Sequence, residues 1–159
     1  IKEYNENAGG SRDPMRAIQS KEYLYLFNPW SNGSRVFATA TNGTRTCKRM
    51  IELAKTDKNM AARLHLYRHR VPAELYQVEK DPDCLVNLID HPEHRKELQQ
   101  LQRNLKQWMV ITKDPILEVF QKREDKKFVE EYMQKLEAEA ADRKKAKNKS
   151  PKTKKKKKS

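Results

Sequence analysis

Tyr67-Arg68-His69-Arg70 sets two guanidinium groups, an imidazole and a phenol side by side, just ahead of the apolar residues Leu75 and Tyr76. Arginine meets anionic oxygens through charge-assisted hydrogen bonds, two at once where geometry allows, so this cluster is a candidate for holding an oxyanion. The plainer use is a solvated loop or one that ion-pairs with a neighbouring domain. His65 and His69 are four apart, so one helix face would carry both, as it does for two metal ligands. No glutamate stands between them in the HExxH manner and no third ligand has suitable spacing, so both read as surface or packing histidines. His91 and His94 read the same way, and no metal site is expected in this chain. Cys47 and Cys84 can pair, but two cysteines define no framework, and free, partly buried thiols are the simpler reading. Asn32-Gly33-Ser34 and Asn42-Gly43-Thr44 are glycosylation sequons, making Asn32 and Asn42 candidate sites; Asn-Gly is equally the favoured tight-turn pair.

The elements that must position these groups follow from pattern. "PMRAIQS" (14–20) and "EYLYLFN" (22–28) read as two strands joined by a polar turn at Ser20-Lys21, with Tyr23, Tyr25 and Phe27 facing one way and Leu24 and Leu26 the other. Two Asn-Gly pairs then predict an irregular excursion with turns at Asn32 and Asn42. A helical pattern runs from Thr46 to about Tyr67, interrupted near Asp57 to Asn59. Leu75, Tyr76 and Val78, with polar Glu74 and Gln77 between them, suit a strand with one face buried and the other near water. Asp81-Pro82-Asp83 ends it in a turn. Asn87 or Asp90 can fold its side chain onto nearby N–H groups. Asp90 and Glu93 around Pro92 resemble a capping box opening a helix, with Leu98, Leu101, Leu105 and Trp108 as its apolar stripe. Asp114-Pro115 signals the cap and first turn of a further, charge-dense helix with a sparse stripe of Ile116, Phe120, Phe128, Tyr132 and Leu136.

The 159 residues carry a formal charge of +13, most of it in one place. Residues 143–159 hold eleven basic side chains and no acid, leaving 24 basic and 22 acidic side chains before them. The near-neutral body argues against a dedicated nucleic-acid-binding domain, and the lysine-rich stretch reads as disordered. Hydrophobic and charged residues each make up 36%, so the core must be modest. No apolar run approaches the roughly 20 residues that span a bilayer, and no apolar leader opens the chain. Ile1 in place of an initiating methionine reads as an internal residue of something longer.

"DPMRAIQSKEYLYLFN" and, later, "YRHRVPAELYQVEKDPDCLVNLIDHPEHRKELQQLQRNLKQWMVITKDP" together resemble the C-terminal part of the sulfatase family, closest to the branch that acts on N-sulfated glycosaminoglycan sugars. The family's pattern is a hairpin with a Met-Arg start, an "(E)LY-D-x-x-x-DP-x-E-x-x-NL" strand and turn, and a closing helix. Gln77 stands where the family usually has Asp, and Asp83-Cys84 replaces its acidic region. The resemblance covers roughly residues 12–115. It implies an α+β fold, a small antiparallel sheet of about four strands packed by helices, here followed by a long charged helix and the disordered basic tail. It divides the chain into a lead-in from a catalytic domain (1–13), the C-terminal subdomain (14–113), a helical extension (114–142) and the tail (143–159).

The resemblance implies a parent enzyme whose formylglycine, made within "C/S-x-P-S-R", works beside calcium in a catalytic domain not included here. Cys47 precedes Lys48-Arg49-Met50 and Cys84 precedes Leu85-Val86-Asn87, so neither matches that motif and no catalytic residue carries over. The implied partners are the catalytic domain of the same chain, a sulfated glycosaminoglycan and a second copy in a homodimer. The implied location is outside the cytoplasm, whether lysosomal, secreted or periplasmic. Tyr67, Arg68, His69 and Arg70 are then candidates for lining the substrate cleft. The competing reading is a non-enzymatic polyanion-binding protein that works through its lysine-rich tail by counterion release.

Overall fold

Ser20 makes the first turn: its Oγ accepts from the Tyr23 N–H at 2.9 Å, and its own N–H donates to the Tyr23 carbonyl at 2.8 Å. The strands it joins, β3 (Arg16–Gln19) and β4 (Leu24–Phe27), pair antiparallel from Arg16↔Phe27 to Gln19↔Leu24. The short strands before them, β1 (Asn5–Glu6) and β2 (Arg12–Asp13), pair separately. The computed structural model describes residues 5–6, 12–37 and 40–149. A third strand, β5 (Ala73–Tyr76), joins the far side of β4, so the main sheet runs β3-β4-β5 with β4 in the middle. The α+β class is as expected, with three strands in the main sheet where about four were anticipated.

Period-2 alternation puts Tyr23, Tyr25 and Phe27 on the buried face, with Leu75 beside them, while Leu24 and Leu26 are half-buried on the other. Three helices cover the buried face. Helix α3 (Arg95–Ile111) contributes Leu101, Leu105 and Met109, and α4 (Leu117–Gln121) contributes Val119 and Phe120. Phe120 meets Phe27 and Tyr25 edge-on, with centroids at 5.1 and 6.5 Å, an arrangement that adds about 0.5–1.5 kcal/mol per pair beyond area burial. Helix α5 (Lys126–Lys149) packs Met133 and Leu136 on Trp30, which stacks on Phe37 at 5.1 Å. Among the described residues no helix is long and apolar enough to cross a membrane.

The helical pattern after Thr46 resolves into α1 (Arg45–Leu53) and α2 (Lys58–His69). Asp57 makes the break by capping α2, accepting from the Asn59 and Met60 N–H groups at 2.8 and 3.1 Å. Thr44 caps α1 through the Cys47 N–H.

Several expectations are corrected. Strand β5 ends at Tyr76, and Val78 lies in the turn because the Lys80 and Asp81 N–H groups bond back to the Gln77 carbonyl. Glu74 is not the water-facing residue of that strand; it is fully buried. No capping box forms at Asp90 and Glu93, because Pro92–His94 makes a single 3-10 turn before α3 and His91 precedes it without a side-chain cap. Asn87 does fold back, its Oδ1 accepting from the Leu75 and Ile89 N–H groups at 2.9 and 3.1 Å. Trp108 is 46% exposed, and Met109 takes its place in the core stripe.

The anticipated boundaries at residues 14 and 114 fall inside packed structure. Asp114 is buried and receives a two-pronged bond from Arg16 at 2.6 and 2.8 Å, while Ile116, Val119 and Phe120 belong to the main apolar cluster. Arg12, in the expected lead-in, is buried and bonds Glu139 of α5 at 2.8 Å. A sparse apolar stripe was enough for α4 and α5 because each contact lands on an aromatic floor. Helix α5 also continues to Lys149, past the Arg143 boundary expected for the tail; residues 150–159 lie outside the described residues.

Candidate functional site

The Tyr67–Arg70 cluster occupies the last turn of α2 and its cap. Arg70 ends the helix at φ 53° and ψ −166°, a region that disfavours a side chain bearing Cβ, while its N–H still bonds the Leu66 carbonyl. Its guanidinium is held by two bonds to Glu74, at 2.9 and 2.6 Å. Glu74 also accepts from Asn28 Nδ2 at 2.7 Å and from the Tyr76 hydroxyl at 2.6 Å. A carboxylate buried in a sheet demands such a set of partners, since stripping its hydration costs several kcal/mol. Burial, then the hydrogen bond to Glu74, push the Tyr76 phenol well above its ordinary value.

The other members are also engaged. The Tyr67 hydroxyl bonds the Thr41 hydroxyl. His69 Nδ1 lies 3.0 Å from the Arg35 carbonyl, and its own carbonyl accepts from Ser31 Oγ at 2.9 Å. Arg68 is half-buried, and its Nε has no hydrogen-bond partner among the described residues. The arrangement thus brings Tyr67 and Arg70 to one groove of about 220 Å³, shared with Leu24, Leu26, Arg63 and Cys84, and directs His69 toward the 31–37 loop. The four residues do not form one anion cradle: Arg70 is neutralised by Glu74, and Arg68 Nε is buried without a hydrogen-bond partner among the described residues.

That 31–37 loop is strapped to α5. Arg35 forks onto both Glu130 oxygens at 2.9 Å and reaches Glu137 Oε1 at 2.6 Å. The hydrogen bond from Arg35 holds the Glu130 carboxyl below its usual value. Beside the strap lies the larger groove, about 730 Å³, walled by Phe27, Pro29, Pro72 and Val129 with Arg123 and Lys126 at its edge.

Asn32 is exposed at the tip of the strap, in an Asx turn whose Oδ1 accepts from the N–H groups of Ser34 and Arg35, with Gly33 at φ 85°. Asn42 is half-buried in a 3-10 turn, and its Nδ2 donates to the Phe37 carbonyl at 3.1 Å. The two sequons are therefore not equally accessible.

His65 and His69 approach to 4.6 Å between ring centroids, and His91 and His94 to 6.4 Å. Among the described residues no three His, Cys, Asp or Glu side chains gather as a metal site. Both cysteines are free. Burial, with Asp81 adding, pushes the Cys84 thiol up, which disfavours the nucleophilic thiolate.

Sequence reasoning missed Glu74 and Asp114 as organising groups. Arg70 four residues before Glu74 was the available signal for one pair; nothing local links Arg16 to Asp114. Comparison with protein-family models gives no match, and comparison with curated proteins gives none.

Proposed function

We propose that the chain is the C-terminal subdomain of a sulfatase-like hydrolase, most like N-sulfoglucosamine sulfohydrolase (sulfamidase), acting on sulfated or N-sulfated glycosaminoglycan sugars. In this role it completes the fold and the cleft rim, while formylglycine and calcium belong to a catalytic domain of the same, exported polypeptide. The observation that carries the reading is the order of elements. A hairpin with Met15-Arg16 at its start is joined by a strand bearing Glu74-Leu75-Tyr76, then an Asp-Pro turn, then helix α3 across the sheet. Exposed Trp108, Val110 and Ile111 near the end of α3 supply apolar surface of the kind that a docking domain covers.

The reading frame upstream of Ile1 tests the proposal. An open frame encoding C/S-x-P-S-R supports it, and a start codon close to Ile1 overturns it. In the whole polypeptide, Arg68→Ala is expected to raise KM for a sulfated oligosaccharide. Arg70→Ala is expected to act mainly on stability, because its charge is spent on Glu74. Residues 1–159 by themselves are expected to release no sulfate.

A further inference from the structure

The positive charge of the folded body is unevenly placed. Residues 45–70 hold eight Arg and Lys against two acids, whereas the other residues up to 142 hold sixteen against twenty. The near-neutral body is therefore a basic helical hairpin, α1–α2, set against an acidic remainder. Arg45, Lys48, Arg49, Lys55, Lys58 and Arg63 are all exposed. Arg45, Lys48 and Arg49 share one face of α1 at spacings of three and four, while buried Cys47 lies on another. Lys55 lies in the turn between the two helices and Lys58 opens α2.

Little of this charge is spent locally. Arg49 pairs with exposed Glu52 at 3.2 Å, and Arg63 reaches the Asp83 carbonyl at 3.4 Å. Arg45, Lys48, Lys55 and Lys58 have no ion-pair partner among the described residues. Like charges at helical spacings of three and four cost a few tenths of a kcal/mol per pair, and this hairpin contributes no residue to either apolar cluster that could offset them.

We propose that the exposed face of α1–α2 is a docking surface for a linear sulfated polysaccharide. Helices of nine and twelve residues extend about 13 and 18 Å at 1.5 Å per residue, so the cations meet a polymer's spaced anions rather than a single oxyanion. Nucleic acid fits less well. Single strands are held on aromatic stacking platforms, and the one aromatic of residues 45–70, Tyr67, is half-buried with its hydroxyl on Thr41. A membrane surface would require an exposed apolar face, and Cys47 and Leu64 are buried instead. Arginine's planar fork matches two sulfate oxygens. This deepens the hydrolase reading, on which the choice of a sulfated sugar rests, by naming where the polymer is held.

The test is heparin binding by the full chain as salt is raised, in a background where the ten lysines of residues 144–158 are glutamine so that the tail does not dominate. Replacing Arg45, Lys48, Lys55 and Lys58 together by glutamine is expected to weaken binding at least tenfold and to lower the salt slope by about three. Replacing exposed Lys21, Lys96, Lys106 and Lys135 makes the same charge change and is expected to weaken binding less than threefold. Circular dichroism confirms that both variants keep their helices. Equal losses in the two variants, or tighter binding of a DNA duplex than of heparin, overturn the docking proposal. Binding needs no catalysis, so the outcomes separate. Loss of heparin through the hairpin in a protein whose frame lacks C/S-x-P-S-R sinks the hydrolase reading alone.

Discussion

The α1–α2 hairpin buries Cys47 and Leu64 and carries its cations outward; the sheet with α3, α4 and α5 buries three strand aromatics under Leu105, Met109 and Phe120. The first is held by caps at Thr44 and Asp57. The second is held by apolar area and by the buried Arg16–Asp114 pair, while Arg70 at the end of α2 ties the hairpin to it through buried Glu74. Caps contribute about 1 kcal/mol each, whereas a large core side chain contributes several. The contrast shows how one chain can keep a loosely held, charge-bearing element on a rigid support.

Phe120→Ala should break the rigid side most severely, at about 3–5 kcal/mol in chemical denaturation, because it leaves a void facing both Tyr25 and Phe27. Asp114→Ala should follow at about 3 kcal/mol, since it strands the Arg16 guanidinium with its fork unfilled. Leu64→Ala should cost about 2 kcal/mol, read as faster amide hydrogen exchange across α1 and α2 while the sheet amides stay protected. Equal acceleration in the sheet would erase the distinction between the two regions.

Smaller effects sharpen the comparison. Because Arg35 holds the Glu130 carboxyl below its ordinary 4.5, that pair adds stability above this pH and loses it as pH falls through the depressed value. Acid titration of Arg35→Ala should show a flatter stability profile below about pH 4.5 than the parent, with the difference fading in high salt. The least change in stability, within about 0.5 kcal/mol, belongs to the fourfold glutamine variant of the basic hairpin, whose consequence appears in heparin binding.

Much of this was legible in the residues. Alternation gave the buried face of β4, Asp57 announced the break between α1 and α2, and the apolar spacing identified Leu101 and Leu105. What escaped was set by distant partners. Glu74 looked like an outward strand residue because Asn28, 46 positions away, and Tyr76 complete its hydrogen bonding only in the fold. Trp108 was read into the stripe by its spacing of three from Leu105, yet α3 presents Met109, four residues on, to the sheet. Residues 114–142 looked like an appendage because an apolar stripe that sparse says nothing about Phe27 and Trp30 waiting beneath it. In the candidate site, the cluster at Tyr67–Arg70 was visible, but not the internal bonds that occupy it. Net charge over the whole body concealed the hairpin that charge by segment reveals.

Phe27 faces Ala73 in the ladder, and the Asn28 N–H closes on the Pro72 carbonyl at 2.8 Å. Residues 28–72 therefore leave the sheet and return to it at the same rung. A chain built this way can exchange the part of the excursion between Trp30 and Arg70 for a longer, shorter or differently charged one without re-registering a strand, so long as Asn28, Trp30 and Arg70 stay. Evolution, or a protein engineer, has at that neck a ready graft point for new binding preferences.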